Sequence, residues 1–187
     1  MRKLKLQMGV SVDGFVSRPE SESWISEWDE QLWRFTADLI ETSDTILLGR
    51  GMTPEFMTYW EEAANKPEDQ EFRIAKLLVD MPKIVFSQTI NEVAGLNSRV
   101  ENGPLVEAVT QLKQQPGKDL IVYGGIGFVS SLIENGLIDE FHFFVHPFAF
   151  GGGGRIFKSL VPLKHEASTA YECGIVVNSY ILDNNQT

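Results

Sequence analysis

The sequence has little cysteine, few cations and no long apolar run. Its single cysteine, Cys173, excludes an internal disulfide and any metal site built from several cysteines. No apolar run approaches the roughly 18 residues that a membrane helix needs. The 16 lysines and arginines are outnumbered by 26 acidic residues, and the formal net charge of −10 disfavours nucleic acid as a partner. An anionic ligand must therefore be held locally, by backbone amides and a few cations.

The composition is that of an ordinary globular protein. The 187 residues are 43% hydrophobic and 22% charged, which predicts a single domain over residues 1–187 with a substantial core. The first six residues alternate charged and apolar side chains, so they indicate a strand rather than a secretory signal. We therefore expect a cytoplasmic protein that spans no membrane.

Strand-like apolar segments alternate with helical ones along most of the chain, which favours a largely parallel sheet with helices on both faces. The last two strand candidates are split at Gly174, so they form either a tight hairpin or one strand with a bulge. The strand candidates are Leu4–Val10, Thr45–Leu48, Ile84–Ser87, Leu120–Tyr123, Glu140–Val145, Ser168–Cys173 and Ile175–Leu182, and helix candidates include Pro67–Val79, Pro104–Gln114 and Phe128–Asn135.

The first helix is predicted from a possible capping box, in which Ser26 precedes the acid Asp29 by three residues. Apolar residues then recur at helical spacing from Trp28 onwards. Trp24, in the preceding loop, is a candidate to line a planar heterocycle.

The segment Gly124-Gly125-Ile126-Gly127 lies between a buried strand and a helix. Glycines there let backbone N–H groups approach a phosphate closely, and the helix start adds positive potential. The dinucleotide fingerprint of Rossmann folds requires glycine or alanine at Ser130, so this is a different motif. A plain strand-to-helix turn stays an alternative.

Three more strands are followed by residues suited to ligand binding. Arg50 can pair with a phosphate and Thr53 can cap the next helix, although a surface arginine is the simpler interpretation. The segment Ser87–Thr89 can hold a ribose phosphate or simply form a turn. Asp13, before Gly14, can orient a substrate, relay a proton or cap its own loop. Ligands bind at the carboxyl edge of open α/β sheets, so together these motifs predict a nucleotide-binding enzyme.

His142 and His146 are four residues apart, so in an unbroken strand they lie on one face. No third ligand is evident in the sequence, and a place on the face of a strand is favoured over a metal site. We therefore predict that the protein uses no metal.

Taken in order, the segments SVDGFVS, TILLGRGMTPE, VFSQT and IVYGGIGFVSSLIENGLIDEFHFFVHPFAFGGGGRIF resemble the dihydrofolate reductase-like superfamily. The most similar branch is the reductase domain of the bifunctional riboflavin-biosynthesis deaminase-reductases. The resemblance implies a three-layer α/β/α fold whose mixed, mostly parallel sheet has about eight strands and a C-terminal antiparallel pair. It also implies NADPH as the cofactor, a small-molecule substrate and a homodimer. The chain has no room for the zinc deaminase domain, so it resembles a stand-alone reductase.

The resemblance also assigns roles to residues. Asp13 is the first candidate for a catalytic carboxylate, and Asp29 is the second because folate reductases carry a carboxylate on the first helix. The residues assigned to NADPH are Gly49, Arg50 and Thr53 at the phosphates, Ser87 and Thr89 near the adenosine 2′-phosphate, Gly124, Gly125, Ile126, Gly127 and Phe128 along the pyrophosphate and nicotinamide, and Val12, Gly14 and Phe15 in a mobile loop with Asp13.

The resulting hypothesis is an NADPH-dependent reductase that transfers a hydride to a small heterocycle, either a pterin or folate or a ribosylamino-pyrimidine. The alternative is a non-catalytic nucleotide- or pterin-binding protein that keeps the fold, and a third possibility is a dimeric scaffold without a ligand. NADPH oxidation with a panel of such heterocycles discriminates among them.

Overall fold

The computed structural model describes residues 1–17 and 27–183. These residues form eight strands and five helices, and all the strands belong to one sheet. The strands are β1 (Leu4–Ser11), β2 (Ser43–Gly49), β3 (Lys83–Phe86), β4 (Ser98–Glu101), β5 (Asp119–Gly124), β6 (Glu140–His146), β7 (Leu163–Ala170) and β8 (Val176–Leu182), and the helices are α1 (Glu30–Glu41), α2 (Thr53–Ala63), α3 (Phe72–Asp80), α4 (Leu105–Gln114) and α5 (Ile126–Glu134).

The strand order across the sheet is β4-β3-β2-β5-β1-β6-β8-β7. The first six strands in this order run parallel to one another, whereas β6, β8 and β7 pair antiparallel. This confirms the predicted mixed, mostly parallel sheet with a C-terminal antiparallel pair.

Helices cover both faces of the sheet because apolar side chains of the strands point in both directions. On one face, Leu6 and Val122 form a cluster with α4 and α5. On the other face, Ile46 and Ile121 form a cluster with α1, α2 and α3. Three layers result, with the central strands buried between them. None of the described helices is long and apolar enough to cross a membrane.

The strand predictions differ from the structure at its two polar edge strands, of which one was missed and one was misplaced. The strand β4 was missed because its four residues, SRVE, are polar and partly exposed, and only pairing with β3 makes them a strand. The strand β7 was expected at Ser168–Cys173 but spans Leu163–Ala170, where most side chains are exposed and no apolar alternation marks it. The split at Gly174 is a hairpin turn, in which the Gly174 N–H donates to the Tyr171 carbonyl.

The predicted helix starts also need correction. The N-cap of α1 is Asp29, so the capping box at Ser26 was wrong as a helix start, and Trp28 precedes the helix. Ser26 and Trp24 lie outside the described residues. A helix does follow Arg50, but its N-cap is Met52, and Thr53 is its first residue.

Candidate functional site

The carboxyl ends of the parallel strands meet at one edge of the sheet. Gly49, the last residue of β2, pairs with Phe86 of β3, and Leu48 pairs with Gly124 of β5. The next strand, β1, ends at Ser11. This edge therefore holds the ends of four neighbouring strands and most of the residues predicted to bind NADPH.

Two glycines let the end of β2 touch the start of α5. A Cβ atom at Gly49 would lie 2.7 Å from the Cβ of Phe128 and 3.3 Å from the backbone nitrogen of Gly125. A Cβ atom at Gly124 would lie 2.5 Å from the Sδ of Met52. The peptide bond between Gly124 and Gly125 is cis. A side chain at Gly49 would overlap Phe128, and Gly124 has a φ of +157°, which side chains rarely adopt, so both positions favour glycine and the two predicted phosphate motifs pack directly against each other.

The amino terminus of α5 is open. Its N-cap is Gly125, which has no side chain and therefore cannot accept a hydrogen bond from the first turn. Gly127 is exposed, and a Cβ atom built on it would meet nothing within 4 Å, so this side of the first turn is uncovered. The first N–H groups of a helix have no partner within the helix, and the helix dipole makes them attractive to anions. Phe128 points sideways and stacks on Phe86, with ring centroids 5.0 Å apart.

Arg50 and Thr53 differ in how free their side chains are. Arg50 is exposed, and its guanidinium makes no ion pair with any described residue. Thr53 is 1% exposed, and its hydroxyl donates to the Gly49 carbonyl at 3.1 Å. The arginine is thus available to a ligand, whereas the threonine hydroxyl holds the turn between β2 and α2.

Ser87 forms the turn after β3. Its hydroxyl oxygen accepts from the N–H groups of Thr89, at 3.1 Å, and Ile90, at 3.2 Å. Of the two interpretations of this segment, the turn is therefore present. The hydroxyl hydrogen of Ser87 can still donate, and the exposed Thr89 hydroxyl lies 3.4 Å away. Arg50 lies beside the end of β3, since its N–H donates to the Phe86 carbonyl at 3.3 Å.

The loop after β1 is fastened to the glycine-rich loop after β6. The Val12 N–H donates to the Phe148 carbonyl at 2.8 Å. Farther along, the Val16 N–H donates to the Gly154 carbonyl at 2.9 Å, and the Gly154 N–H donates to the Ser17 carbonyl at 3.1 Å. A Cβ atom at Gly154 would also meet Ile126 of α5. The two loops and the start of α5 therefore form one packed unit.

Asp13 ties these loops together through its carboxylate. It accepts from the Ser11 hydroxyl at 2.6 Å, from the Gly151 N–H at 2.7 Å and from the Phe150 N–H at 3.1 Å. These donors, the Ser11 hydroxyl first, lower the pKa of Asp13 to about 2. The carboxylate is consequently ionised near neutral pH and acts as an acceptor between loops.

Sequence reasoning missed Arg155. Its guanidinium lies 4.0 Å from the centroid of the Phe15 ring, and its Nη2 donates to the Asp13 carbonyl at 3.3 Å. Gly14, between these two residues, has a φ of +82° that favours glycine. The only sequence signal was that Arg155 follows four glycines directly.

Asp29 lies elsewhere, between α1 and the turn that joins β7 to β8. Its carboxylate accepts from the Leu32 N–H at 2.8 Å and from the Cys173 N–H at 2.9 Å. Burial by itself raises the pKa of Asp29, but these hydrogen bonds outweigh it and the pKa is lowered. No hydrogen bond among the described residues joins Asp29 to Asp13 or to the strand-end glycines.

The two histidines of β6, His142 and His146, differ in their contacts and in their burial. The Nδ1 of His142 lies 2.9 Å from the Ser179 hydroxyl, and burial lowers the pKa of His146 to about 4. Within residues 1–17 and 27–183, no three His, Cys, Asp or Glu side chains are grouped so that they could hold a metal ion.

Comparison with known proteins agrees with this fold. The family model described as the RibD C-terminal domain matches residues 2–177. The uncharacterized protein YyaP of Bacillus subtilis (strain 168) is 33% identical over 178 residues, which are 94% of this chain and 92% of that protein. No function is given in that name.

Two solved structures show the same fold at low identity. A putative riboflavin biosynthesis protein from Shewanella sp. PV-4 matches with a TM-score of 0.71 at 17% identity, over 98% of this chain and 100% of that one. Dihydrofolate reductase from Enterococcus faecalis, solved as a complex with NADP(H), matches with a TM-score of 0.58 at 15% identity, over 97% of both chains. The predicted dihydrofolate reductase-like fold is thus confirmed, and the chain belongs to the RibD C-terminal domain family.

Proposed function

We propose that the protein is an NADPH-dependent reductase acting on a small heterocycle of the pterin, folate or ribosylamino-pyrimidine type. The observation that carries this proposal is the open amino terminus of α5, which lies against the end of β2 and beside Arg50, an arginine without an ion pair among the described residues. A reductase-type fold, shared with the riboflavin-biosynthesis family, supports it. NADPH would supply the hydride.

The residues at this edge have the chemistry needed to bind the pyrophosphate and the 2′-phosphate of NADPH. The uncapped first turn of α5, from Gly124 to Phe128, offers backbone N–H groups to the pyrophosphate. Arg50 can pair with a phosphate, and it is one of few cations in a chain of net charge −10. Ser87 and Thr89 can donate to the adenosine 2′-phosphate. We assign Gly49 and Thr53 the role of shaping the turn that presents Arg50.

The loop after β1 is the wall nearest the nicotinamide in this proposal. Val12 is 61% exposed, and we assign it to this wall together with Gly14, which is exposed, and Phe15, which is partly buried. Because Asp13 is ionised and holds the loop to Phe150 and Gly151, we propose that it positions the loop and does not deliver the proton. The resemblance also implies a homodimer, which light scattering would test.

One observation favours the second candidate function, a binding protein without turnover. Both predicted catalytic carboxylates accept hydrogen bonds from backbone N–H groups, and both have a lowered pKa. Neither is therefore a proton donor near neutral pH. NADPH oxidation in the presence of the heterocycle panel separates the two functions, because only the reductase consumes the cofactor.

The test is to compare NADPH with NADH binding, by quenching of tryptophan fluorescence with calorimetry as a check. NADPH should bind more tightly because only it carries the 2′-phosphate. Arg50→Ala should weaken NADPH binding by about 1.5–3 kcal/mol, or roughly 10- to 150-fold, the range for charged hydrogen bonds. Arg34→Ala is the matched control, since Arg34 is an exposed arginine of α1 that forms an ion pair with Glu30. Failure of the wild type to bind either cofactor would overturn the assignment.

A further inference from the structure

The loop after β1 and the glycine-rich loop after β6 hold each other by contacts in both directions. The first loop provides the Asp13 carboxylate, which accepts from the N–H groups of Phe150 and Gly151. The second loop provides Arg155, whose guanidinium carbon lies 4.0 Å from the centroid of the Phe15 ring. The Arg155 Nη2 also donates to the Asp13 carbonyl oxygen at 3.3 Å. Arg155 is therefore the counterpart of Asp13 on the opposite loop.

The backbone of Arg155 is fixed on both sides. The residue before it, Gly154, forms an isolated antiparallel bridge with Ser17. The residue after it, Ile156, is 3% exposed, and its carbonyl accepts from the hydroxyl of Ser130 in α5 at 2.9 Å. Arg155 itself is exposed. The arginine thus has a buried attachment point, and its exposed side chain lies over the first loop.

Arg155 lies on an aromatic ring although acidic residues outnumber lysines and arginines by 26 to 16. It forms no ion pair with a carboxylate of the described residues. A guanidinium is attracted by the negative face of an aromatic ring and also stacks on it. The Nη1 lies against Gly14 as well, where a Cβ atom would be 3.6 Å away. Its ring contact and its hydrogen bond are therefore both made with the loop after β1.

The two joined loops lie against the start of α5. A Cβ atom at Gly154 would be 2.4 Å from the Cδ1 of Ile126, the first residue of that helix. Between the loops, a Cβ atom at Gly153 would be 1.9 Å from the Ser17 carbonyl oxygen, so no side chain fits there. The Val16 N–H donates to the Gly154 carbonyl at 2.9 Å. The joined loops therefore border the helix start that we propose for the pyrophosphate of NADPH.

We propose that Arg155 is a positioning residue that holds the loop Val12–Phe15 closed beside bound NADPH and thereby slows the release of the cofactor. This inference rests on the proposed NADPH site, in which this loop is the wall nearest the nicotinamide. The guanidinium contacts both the ring and a carbonyl of the loop, so the loop opens only when both contacts break. A ligand behind a closed loop leaves at a rate that is proportional to the open fraction. Arg155 acts through the loop and does not contact the cofactor.

The test measures the rate constant for NADPH release by stopped flow. The complex is mixed with excess NADP⁺, and the loss of energy transfer from tryptophan to NADPH is followed. Arg155→Met should release NADPH roughly 5- to 30-fold faster, as expected for the loss of one exposed cation–π contact and one long hydrogen bond. Arg155→Lys should release it at an intermediate rate, because an ammonium group is still attracted by the ring. Arg34→Met, the same change at an exposed arginine of α1, is the control.

A double-mutant cycle with Phe15→Leu separates positioning of the loop from direct contact with NADPH. Because the guanidinium acts through the Phe15 ring, Arg155→Met should accelerate release less in the Phe15→Leu background than in the wild type. Hydrogen exchange of the free protein gives a second readout that needs no cofactor. The Val16 amide, which donates to the Gly154 carbonyl, should exchange faster in Arg155→Met than in Arg34→Met.

Equal release rates from Arg155→Met and Arg34→Met overturn the inference, and so does an equal exchange rate of the Val16 amide in these two variants. Equal acceleration by Arg155→Met in both backgrounds of the cycle overturns it as well, because Arg155 would then act on the cofactor directly. A wild type that binds no NADPH rejects the proposed function and the inference together. A wild type that binds NADPH, with release insensitive to Arg155→Met, rejects the inference alone.

Discussion

The close approach of β2 to α5 at Gly49 gives a sharp test of the site. In Gly49→Ala, the new Cβ atom would lie 2.7 Å from the Cβ of Phe128, and ordinary contacts begin near 3.4 Å. Phe128 carries that atom next to its backbone, so no side-chain rotation relieves the overlap and α5 or β2 must shift. Overpacking costs about 1–3 kcal/mol, and the lower entropy of the unfolded alanine chain offsets about 0.4–1 kcal/mol.

The net loss of unfolding free energy is therefore about 1–2 kcal/mol, which lowers Tm by roughly 2–8 °C for a chain of this size. Thermal denaturation followed by circular dichroism measures it. NADPH affinity should fall too, since the shift displaces the first turn of α5. Gly51→Ala is the matched control, because a Cβ atom at Gly51 would meet nothing within 4 Å. A wild-type Tm and wild-type NADPH affinity in Gly49→Ala would refute the close packing of the two motifs.

Two further predictions concern charged groups. Asp13→Ala should remove hydrogen-exchange protection at the amides of Phe150 and Gly151, because the Asp13 carboxylate accepts hydrogen bonds from both. Asp80→Ala, which changes an exposed aspartate of α3, is the control and should leave that protection in place. Equal protection in both variants would contradict the loop-positioning role of Asp13. The His142 ring and the ammonium groups of Lys3 and Lys5 hold the pKa of Glu140 at about 2, below its ordinary 4.5. The Glu140 carboxylate therefore stabilises the fold above about pH 4.5, and that contribution is lost as the pH falls towards 2. In Glu140→Gln, the free energy of unfolding in urea should depend less on pH in this window than it does in the wild type. The same pH dependence in both proteins would reject the prediction.

The sequence predicted the central strands because buried parallel strands are almost continuous apolar runs. Leu120–Tyr123 and Glu140–Val145 have such runs, and the glycine turn after Tyr123 marked where a strand gives way to a helix. The polar edge strands β4 and β7 carry no such signal. Hydrogen bonds from neighbouring strands define them, and those neighbours are distant in sequence.

The candidate site divides in the same way. The motifs at Gly49, Arg50 and Gly124–Gly127 were visible in the sequence because each directly follows an apolar strand, and ligands bind at the carboxyl edge of open α/β sheets. The function of a carboxylate was not visible, since it depends on which donors surround it. Asp13 is held by amides 137 and 138 residues away, and Asp29 caps α1 and binds the amide of Cys173.

By itself, then, the sequence determined the order of the strands and helices apart from the edge strand β4, the edge where the strand-end motifs collect and the resemblance to the riboflavin-biosynthesis reductases. These conclusions follow from local apolar patterns and from glycines that directly follow apolar strands in the sequence. Only the tertiary structure decided that Arg155 covers Phe15, that Asp13 fastens two loops, and that Gln7 of β1 pairs with His142 of β6. Each of these depends on the pairing of β1 with β6, which brings together residues that are far apart in sequence.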